Sequence, residues 1–187
     1  MSGRFWVTGL PRSRTAWFSV ATTTPNSVCF HEPLSRIQSF MDLREFWKPK
    51  CGVDIGISDS GLAPQAGRIL EELKPRTLII ERPLDEALRS FQAFTKNTSL
   101  HVDEAHCRRF AEIAMASLDK VRHHPLVKVV DFAALDDYEK MLGAMQWLLP
   151  DREFPDLRAL MGFNIQVKTS EIERTANLPH TNWHLEP

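Results

Sequence analysis

The first eighteen residues constrain this chain most. An apolar run, Phe5-Trp6-Val7-Thr8, enters a turn with Gly9 and Pro11. A basic, hydroxyl-rich loop follows (Arg12, Ser13, Arg14, Thr15), and a helix opens on Ala16-Trp17-Phe18. A strand, a loop and a helix in this order aim backbone N–H groups and the positive end of a helix dipole at one place. Two arginines and two hydroxyls at that place imply a phosphate or sulfate ligand. A segment of this kind is the usual first strand of a nucleotide-binding α/β domain.

The rest of the chain repeats the alternation. Strand patterns fall at 5–8, 27–30, 53–57, 77–80 and 126–130, with helical patterns at 14–23, 34–46, 66–73, 84–94, 102–121 and 135–149. Thr77-Leu78-Ile79-Ile80 is the clearest strand, a β-branched run between turn residues. In the longest helix, Phe110, Ile113, Ala114, Ser117, Leu118 and Val121 make one face. Strands alternating with helices predict an α/β fold, three layers deep, with a parallel sheet of about five strands. Ligands of such sheets bind beyond the carboxyl ends of the strands. Arg12 to Thr15, His31-Glu32, Ser58-Asp59-Ser60 and Arg82 all fall there.

A Walker loop, G-x-x-x-x-G-K-[ST], is excluded as the account of the first turn. Counting from Gly9, its second glycine falls on Arg14, its lysine on Thr15 and its magnesium hydroxyl on Ala16. The pattern Pro11-Arg12-Ser13, then Thr15, then Trp17-Phe18, resembles the 5′-phosphosulfate loop of sulfotransferases, P-[KR]-S-G-T-[TS]-W-[LF]. Arg14 stands where that loop has glycine and Ala16 where it has a second hydroxyl. The segment Leu78-Ile79-Ile80-Glu81-Arg82, continuing to Ser90, is similar to the family's 3′-phosphate motif, a strand followed by an arginine and a serine at this separation. Pro83 comes one residue earlier than in the motif, and an anchor on Pro83 puts Arg89 in the serine's place. The rival reading is an arginine ion-paired with Glu81 or Asp85. Cys29-Phe30-His31-Glu32-Pro33 ends the second strand where many sulfotransferases carry a glutamate or histidine base, with Glu32 favoured over His31. Residues of an extended segment alternate in direction, so one of the two is expected to face the site. Val127-Lys128-Val129-Val130-Asp131 resembles the family's late strand.

The resemblance covers roughly residues 4–150 of a single domain spanning 1–187, and implies a P-loop NTPase-like sulfotransferase fold. It implies an enzyme that moves a sulfuryl group from 3′-phosphoadenosine 5′-phosphosulfate, a co-substrate, to a hydroxyl acceptor. Arg12, Ser13, Arg14, Thr15, Ala16 and Trp17 would line the 5′ side, Arg82 and Ser90 the 3′-phosphate, and Arg12 with Glu32 or His31 the reacting centre. The family's C-terminal R-K-G-x-x-G-x-W loop has no counterpart, and residues 151–187 are read as a variant tail or lid. The rival functions are a nucleotide or small-molecule kinase with a degenerate loop, and a non-catalytic binding or assembly module on the same scaffold.

Charge and cysteine usage narrow the remaining classes. A net charge of −1 offers no electrostatic case for nucleic-acid binding. No apolar run nears a membrane span, and Arg12 and Arg14 interrupt any signal-peptide core. Cys29, Cys51 and Cys107 are odd in number and far apart, as reduced thiols of a cytoplasmic protein are. His123-His124 and the pair His180 and His184 lack companions that complete a metal site, so no metal is expected. A homodimer is compatible with all of this.

Overall fold

A computed structural model of the chain describes residues 3–33, 37, 39–49, 52–96, 103–154, 157–163 and 165. Its strands are β1 (Arg4–Gly9), β2 (Ser27–His31), β3 (Asp54–Ser58), β4 (Arg76–Glu81) and β5 (Val127–Asp131). They form one sheet, parallel throughout, in the order β2-β3-β1-β4-β5. The helices are α1 (Thr15–Ala21), α2 (Phe40–Phe46), α3 (Ala66–Glu72), α4 (Leu84–Lys96), α5 (Glu104–Val121), α6 (Tyr138–Leu148) and α7 (Leu157–Met161).

The central strand explains the layering. Successive side chains of β1 point to opposite faces. Phe5 and Val7 pack with Trp17 and Phe18 of α1 and with Met141, Ala144 and Met145 of α6. Trp6 packs on the other face with Leu43 of α2, Ile69 of α3 and Ala114 of α5. Both faces of the sheet are therefore covered, and strands such as β4 are apolar on both sides. The fold is α/β, with a parallel sheet flanked by helices, as the alternation of elements predicts.

Capping residues set several boundaries that periodicity misses. Asp103 caps α5, its carboxylate accepting from the Ala105 N–H. Asp137 caps α6 by accepting from the N–H groups of Glu139 and Lys140. The stretch expected to open that helix at Leu135 is instead a separate 3₁₀ turn, Phe132–Asp136. The expected face of α5 is largely the buried one, with Phe110 and Val121 packed against the core, but it gains Ala111 and loses Ile113. Ala111, Ala114 and Leu118 are buried, whereas Ile113 is 50 % exposed. Small alanines let this helix approach the 3₁₀ turn Ala63–Gln65, where the Ser117 hydroxyl donates to the Pro64 carbonyl at 3.1 Å. Cys29 and Cys107 are free thiols, and Cys51 lies outside the described residues. Among the described residues no helix is long and apolar enough to cross a membrane.

Candidate functional site

The connections out of β1 and β4 diverge. The first leads to α1, against the Phe5 and Val7 face, and the second to α4, whose Ala87 and Leu88 belong to the Trp6 face. Between two neighbouring strands whose connections part in this way, the carboxyl edge of a parallel sheet opens a crevice. β1 and β4 are neighbours, with Gly9 opposite Ile80, so the Arg12 loop and Arg82 flank this crevice. Gly9 begins the loop because nothing larger fits: a Cβ there would lie 2.5 Å from the Ile80 carbonyl oxygen.

Beyond Gly9 the backbone makes two left-handed turns at residues that carry side chains. Arg12 has φ 70° and Arg14 has φ 60°. Such geometry costs a non-glycine residue about 1–2 kcal/mol. Arg14, standing where the sulfotransferase pattern has glycine, thus adopts a backbone that glycine favours. Its side chain leaves the loop altogether. The guanidinium pairs with Asp136, donates to the Leu135 carbonyl at 3.3 Å and lies 5.4 Å from the centre of the Phe132 ring. Arg14 therefore does not fill the concavity with its own bulk.

The concavity is rich in free donors. From Arg12 to Trp17 no backbone N–H has an acceptor among the described residues, since the first bond of α1 runs from Phe18 N–H to the Arg14 carbonyl. The Ser13 side chain is fully buried, 0 % exposed, and its Oγ has no partner; the buried Arg12 Nε has none either. Left-handed residues interleaved with free N–H groups make an anion-binding nest. The Arg12 guanidinium sits 4.6 Å from the centre of the Phe94 ring, a cation–π contact that holds it beside the loop. Burial, and then the neighbouring Arg82 charge, lower its proton affinity, partly countered by Glu32. An anion placed there would relieve both unfavourable effects.

Arg82 lies behind the loop and is 9 % exposed. Its Nη1 donates to the Arg12 carbonyl at 2.6 Å, while Nε and Nη2 donate to Glu86 Oε1 at 2.9 and 2.7 Å. The guanidinium also lies 4.1 Å from the centre of the Phe132 ring. The ion pair weighed against the 3′-phosphate reading is thus present, but with Glu86 one helical turn on, not with Glu81 or Asp85. Glu86, Ser90 and Phe94 recur every four residues on α4 and so share the face turned to the loop. Ser90 is half-buried, whereas Arg89 is exposed.

The end of β2 brings two further groups to the mouth. His31 Nε2 is 3.2 Å from Thr15 Oγ1 and 3.7 Å from Glu32 Oε1. The expectation that only one of His31 and Glu32 faces the site fails, because Glu32 has φ 44° and leaves the extended conformation. Burial lowers the His31 pKa to about 4, so the ring is neutral at pH 7. Burial raises the Glu32 carboxyl above its ordinary range, and Arg12 offsets part of that rise. With 55 % of the Glu32 side chain open to solvent, screening keeps the energetic consequence small. Below them, Ser58 Oγ donates to the Thr15 carbonyl at 2.7 Å and fixes the first turn of α1.

Arg12, Ser13, Thr15, His31, Glu32 and Arg82 are thus gathered at one edge of the sheet, and half-buried Ala16 follows on α1. Trp17 turns away from the mouth. It is 3 % exposed, makes an edge contact with Phe18, and its Nε1 donates to the Leu160 carbonyl at 3.0 Å. Its indole ties α7 to the core, a role that residue pattern alone does not reveal. Sequence reasoning also missed Glu86, Phe94, Phe132 and Asp136. Of these only Glu86 carried a local signal, its i,i+4 spacing from Arg82. Most of the tail expected as a variant lid, 166–187, lies outside the described residues. No protein-family model matches the chain, and no curated protein matches it.

Proposed function

We propose that the protein is a sulfotransferase that moves a sulfuryl group from 3′-phosphoadenosine 5′-phosphosulfate to a hydroxyl acceptor. The observation that carries the reading is the loop itself. Free N–H groups, a buried unpartnered Ser13 hydroxyl and the Arg12 guanidinium lie on one loop, whose Thr15 hydroxyl is 3.2 Å from His31, itself 3.7 Å from the Glu32 carboxylate. The loop lacks the lysine and the magnesium hydroxyl that a nucleoside-triphosphate site requires. A sulfuryl group carries less charge than a terminal phosphoryl group and needs less neutralisation.

In this mechanism the nest holds the 5′-phosphate and Arg12 lies over the bridging oxygen. The acceptor oxygen attacks sulfur, and the sulfur–bridging oxygen bond breaks. Its electron pair goes to the 5′-phosphate, whose growing charge Arg12 stabilises. Glu32 takes the acceptor's proton. Neutral His31 orders Thr15 beside it and is the alternative base. The 3′-phosphate lies towards α4, where the Ser90 hydroxyl is the available donor, Arg82 being engaged by Glu86 and the Arg12 carbonyl.

The test is thermal unfolding with adenosine 3′,5′-bisphosphate and no metal. Binding to the folded state raises the midpoint, by a stabilisation of about 2.7 kcal/mol at a hundredfold excess over the dissociation constant. A shift with magnesium–ATP and none with the bisphosphate would instead support a kinase with a degenerate loop.

A further inference from the structure

We infer that Arg82 is a positioning residue, which holds the anion loop in its left-handed form through the carbonyl of Arg12. The inference rests on the loop being the donor-binding element proposed above. In the sulfotransferase resemblance this arginine is a phosphate ligand. Here three of its N–H groups already have partners within the chain: one on the Arg12 carbonyl at 2.6 Å and two on Glu86 Oε1. Its guanidinium is stacked on Phe132 and is 9 % exposed, so its plane is fixed before any ligand arrives.

The loop needs such a support. Arg12 and Arg14 are both left-handed, and strained residues persist only where the surroundings over-determine them. Each flank is tied to a different element. Arg82, at the end of β4, grips the Arg12 carbonyl. The turn after β5 grips Arg14 through the Leu135 carbonyl and Asp136. Ser58 of β3 grips the Thr15 carbonyl. The Arg12 carbonyl is drawn towards Arg82, and the N–H groups that follow it have no acceptor among the described residues. Glu86 completes the brace, because it locks the arginine fork with two donors on one oxygen. Phe132 supports Arg82 and Arg14 from the same ring, at 4.1 and 5.4 Å.

The brace makes a claim about ligands that a phosphate-binding arginine does not. Removing it should weaken every ligand of the loop by the same factor, whether or not the ligand carries a 3′-phosphate. The experiment compares the wild type with Arg82→Ala, Arg82→Lys and Glu86→Gln. Calorimetry reads the affinity for adenosine 3′,5′-bisphosphate and for adenosine 5′-phosphate. Limited trypsin digestion reads cleavage after Arg12 and Arg14 against cleavage after Arg152, which is tied to Asp54 at the opposite edge of the sheet. Glu86→Gln keeps the side-chain volume and guards against a misfolded Arg82→Ala. A positioning role predicts loss of both affinities by about tenfold in Arg82→Ala with their ratio unchanged. It also predicts faster loop cleavage relative to Arg152, a smaller effect in Glu86→Gln, and partial recovery in Arg82→Lys, whose ammonium still reaches a carbonyl. Collapse of the bisphosphate preference alone, or unchanged loop cleavage in Arg82→Ala and Glu86→Gln, overturns the inference. If the wild type binds neither nucleotide, the proposed function fails, and the protease comparison still decides the brace on its own.

Discussion

His31 Nε2 lies 3.7 Å from Glu32 Oε1, although the two residues are consecutive at the end of a strand. Adjacent side chains of a strand point to opposite faces. Here Glu32 turns to φ 44° immediately after β2, and its N–H still bonds the Ser58 carbonyl at 3.1 Å. The turn folds the carboxylate back beside the imidazole, whose Nε2 lies 3.2 Å from the Thr15 hydroxyl. A left-handed glutamate at the mouth of a crevice is the kind of strain that collects at functional sites. With the ring held neutral by burial, the charge of the pair belongs to the carboxylate, and in its ionised form that carboxylate can accept a proton.

That burial makes the fold sensitive to acid. The His31 pKa is lowered from 6.5 to about 4, so the unfolded chain takes up a proton at higher pH than the folded protein does. The contribution of His31 to stability is then complete above pH 6.5 and falls as the pH is lowered towards 4. In that window it falls by about 1.4 kcal/mol per pH unit. Urea midpoints measured from pH 7 to pH 4 should show a steeper acid loss in the wild type than in His31→Asn. Equal slopes would mean that His31 is hydrated in the folded state.

The loop makes an unusual prediction about glycine. Arg14→Gly relieves the left-handed strain but removes the ties to Leu135 and Asp136. Arg14→Ala removes the same ties and keeps the strain. The glycine variant should therefore be more stable than the alanine variant by about 1 kcal/mol, the reverse of the order inside a helix. Chemical denaturation of the two variants measures the difference, and alanine as the more stable one would refute the assigned backbone.

At the foot of the same loop the effect is steric. In Gly9→Ala the new Cβ meets the Ile80 carbonyl oxygen at 2.5 Å and Ser13 Cβ at 3.2 Å. Backbone lies on one side and a buried residue on the other, so neither neighbour yields cheaply. β1 and β4 must separate where they pair Gly9 with Ile80. The expected cost is about 2–4 kcal/mol, within the upper range for a single core change. Circular dichroism melts should show it, and a change under 1 kcal/mol would require a loop that moves freely.

What the sequence made legible follows from where the physics is local. The strand–loop–helix at 5–18 and the β-branched run of β4 are local, and both elements are where composition and turn residues put them. The sheet's parallel sense follows from alternation alone. The buried face of α5 was legible except at its edges, because alanine is a weak apolar signal: Ala111 is inside and Ile113 outside. The short α7 carries too few residues for periodicity to show, and a bond from Trp17 holds it. The Arg82–Glu86 fork and the Arg14–Asp136 pair were hidden for another reason. They join a side chain to whichever of several nearby carboxylates the backbone brings round, and only the fold chooses among them.

In the proposed sulfuryl transfer Glu32 is the base, and substitution separates its role from that of its neighbour. Glu32→Gln keeps size and backbone demands while removing the ability to accept a proton. Because Glu32 sits at the rim, 55 % exposed, nucleotide affinity and folding should be nearly unchanged. Turnover with a hydroxyl acceptor should fall by about 10²–10⁴-fold, the usual loss of a general base. The wild-type rate should rise with pH through the ionisation of the carboxyl, which burial places above the ordinary carboxylate range. In Glu32→Gln that limb of the profile should disappear. His31→Asn, which preserves a polar contact to Thr15, should keep the limb and lose far less rate. If the histidine variant is the inactive one and the glutamine variant is not, the imidazole is the base, with Glu32 its orienting partner. If neither variant changes the rate while nucleotide binding persists, the mouth of the crevice is a binding surface and the proton leaves to water.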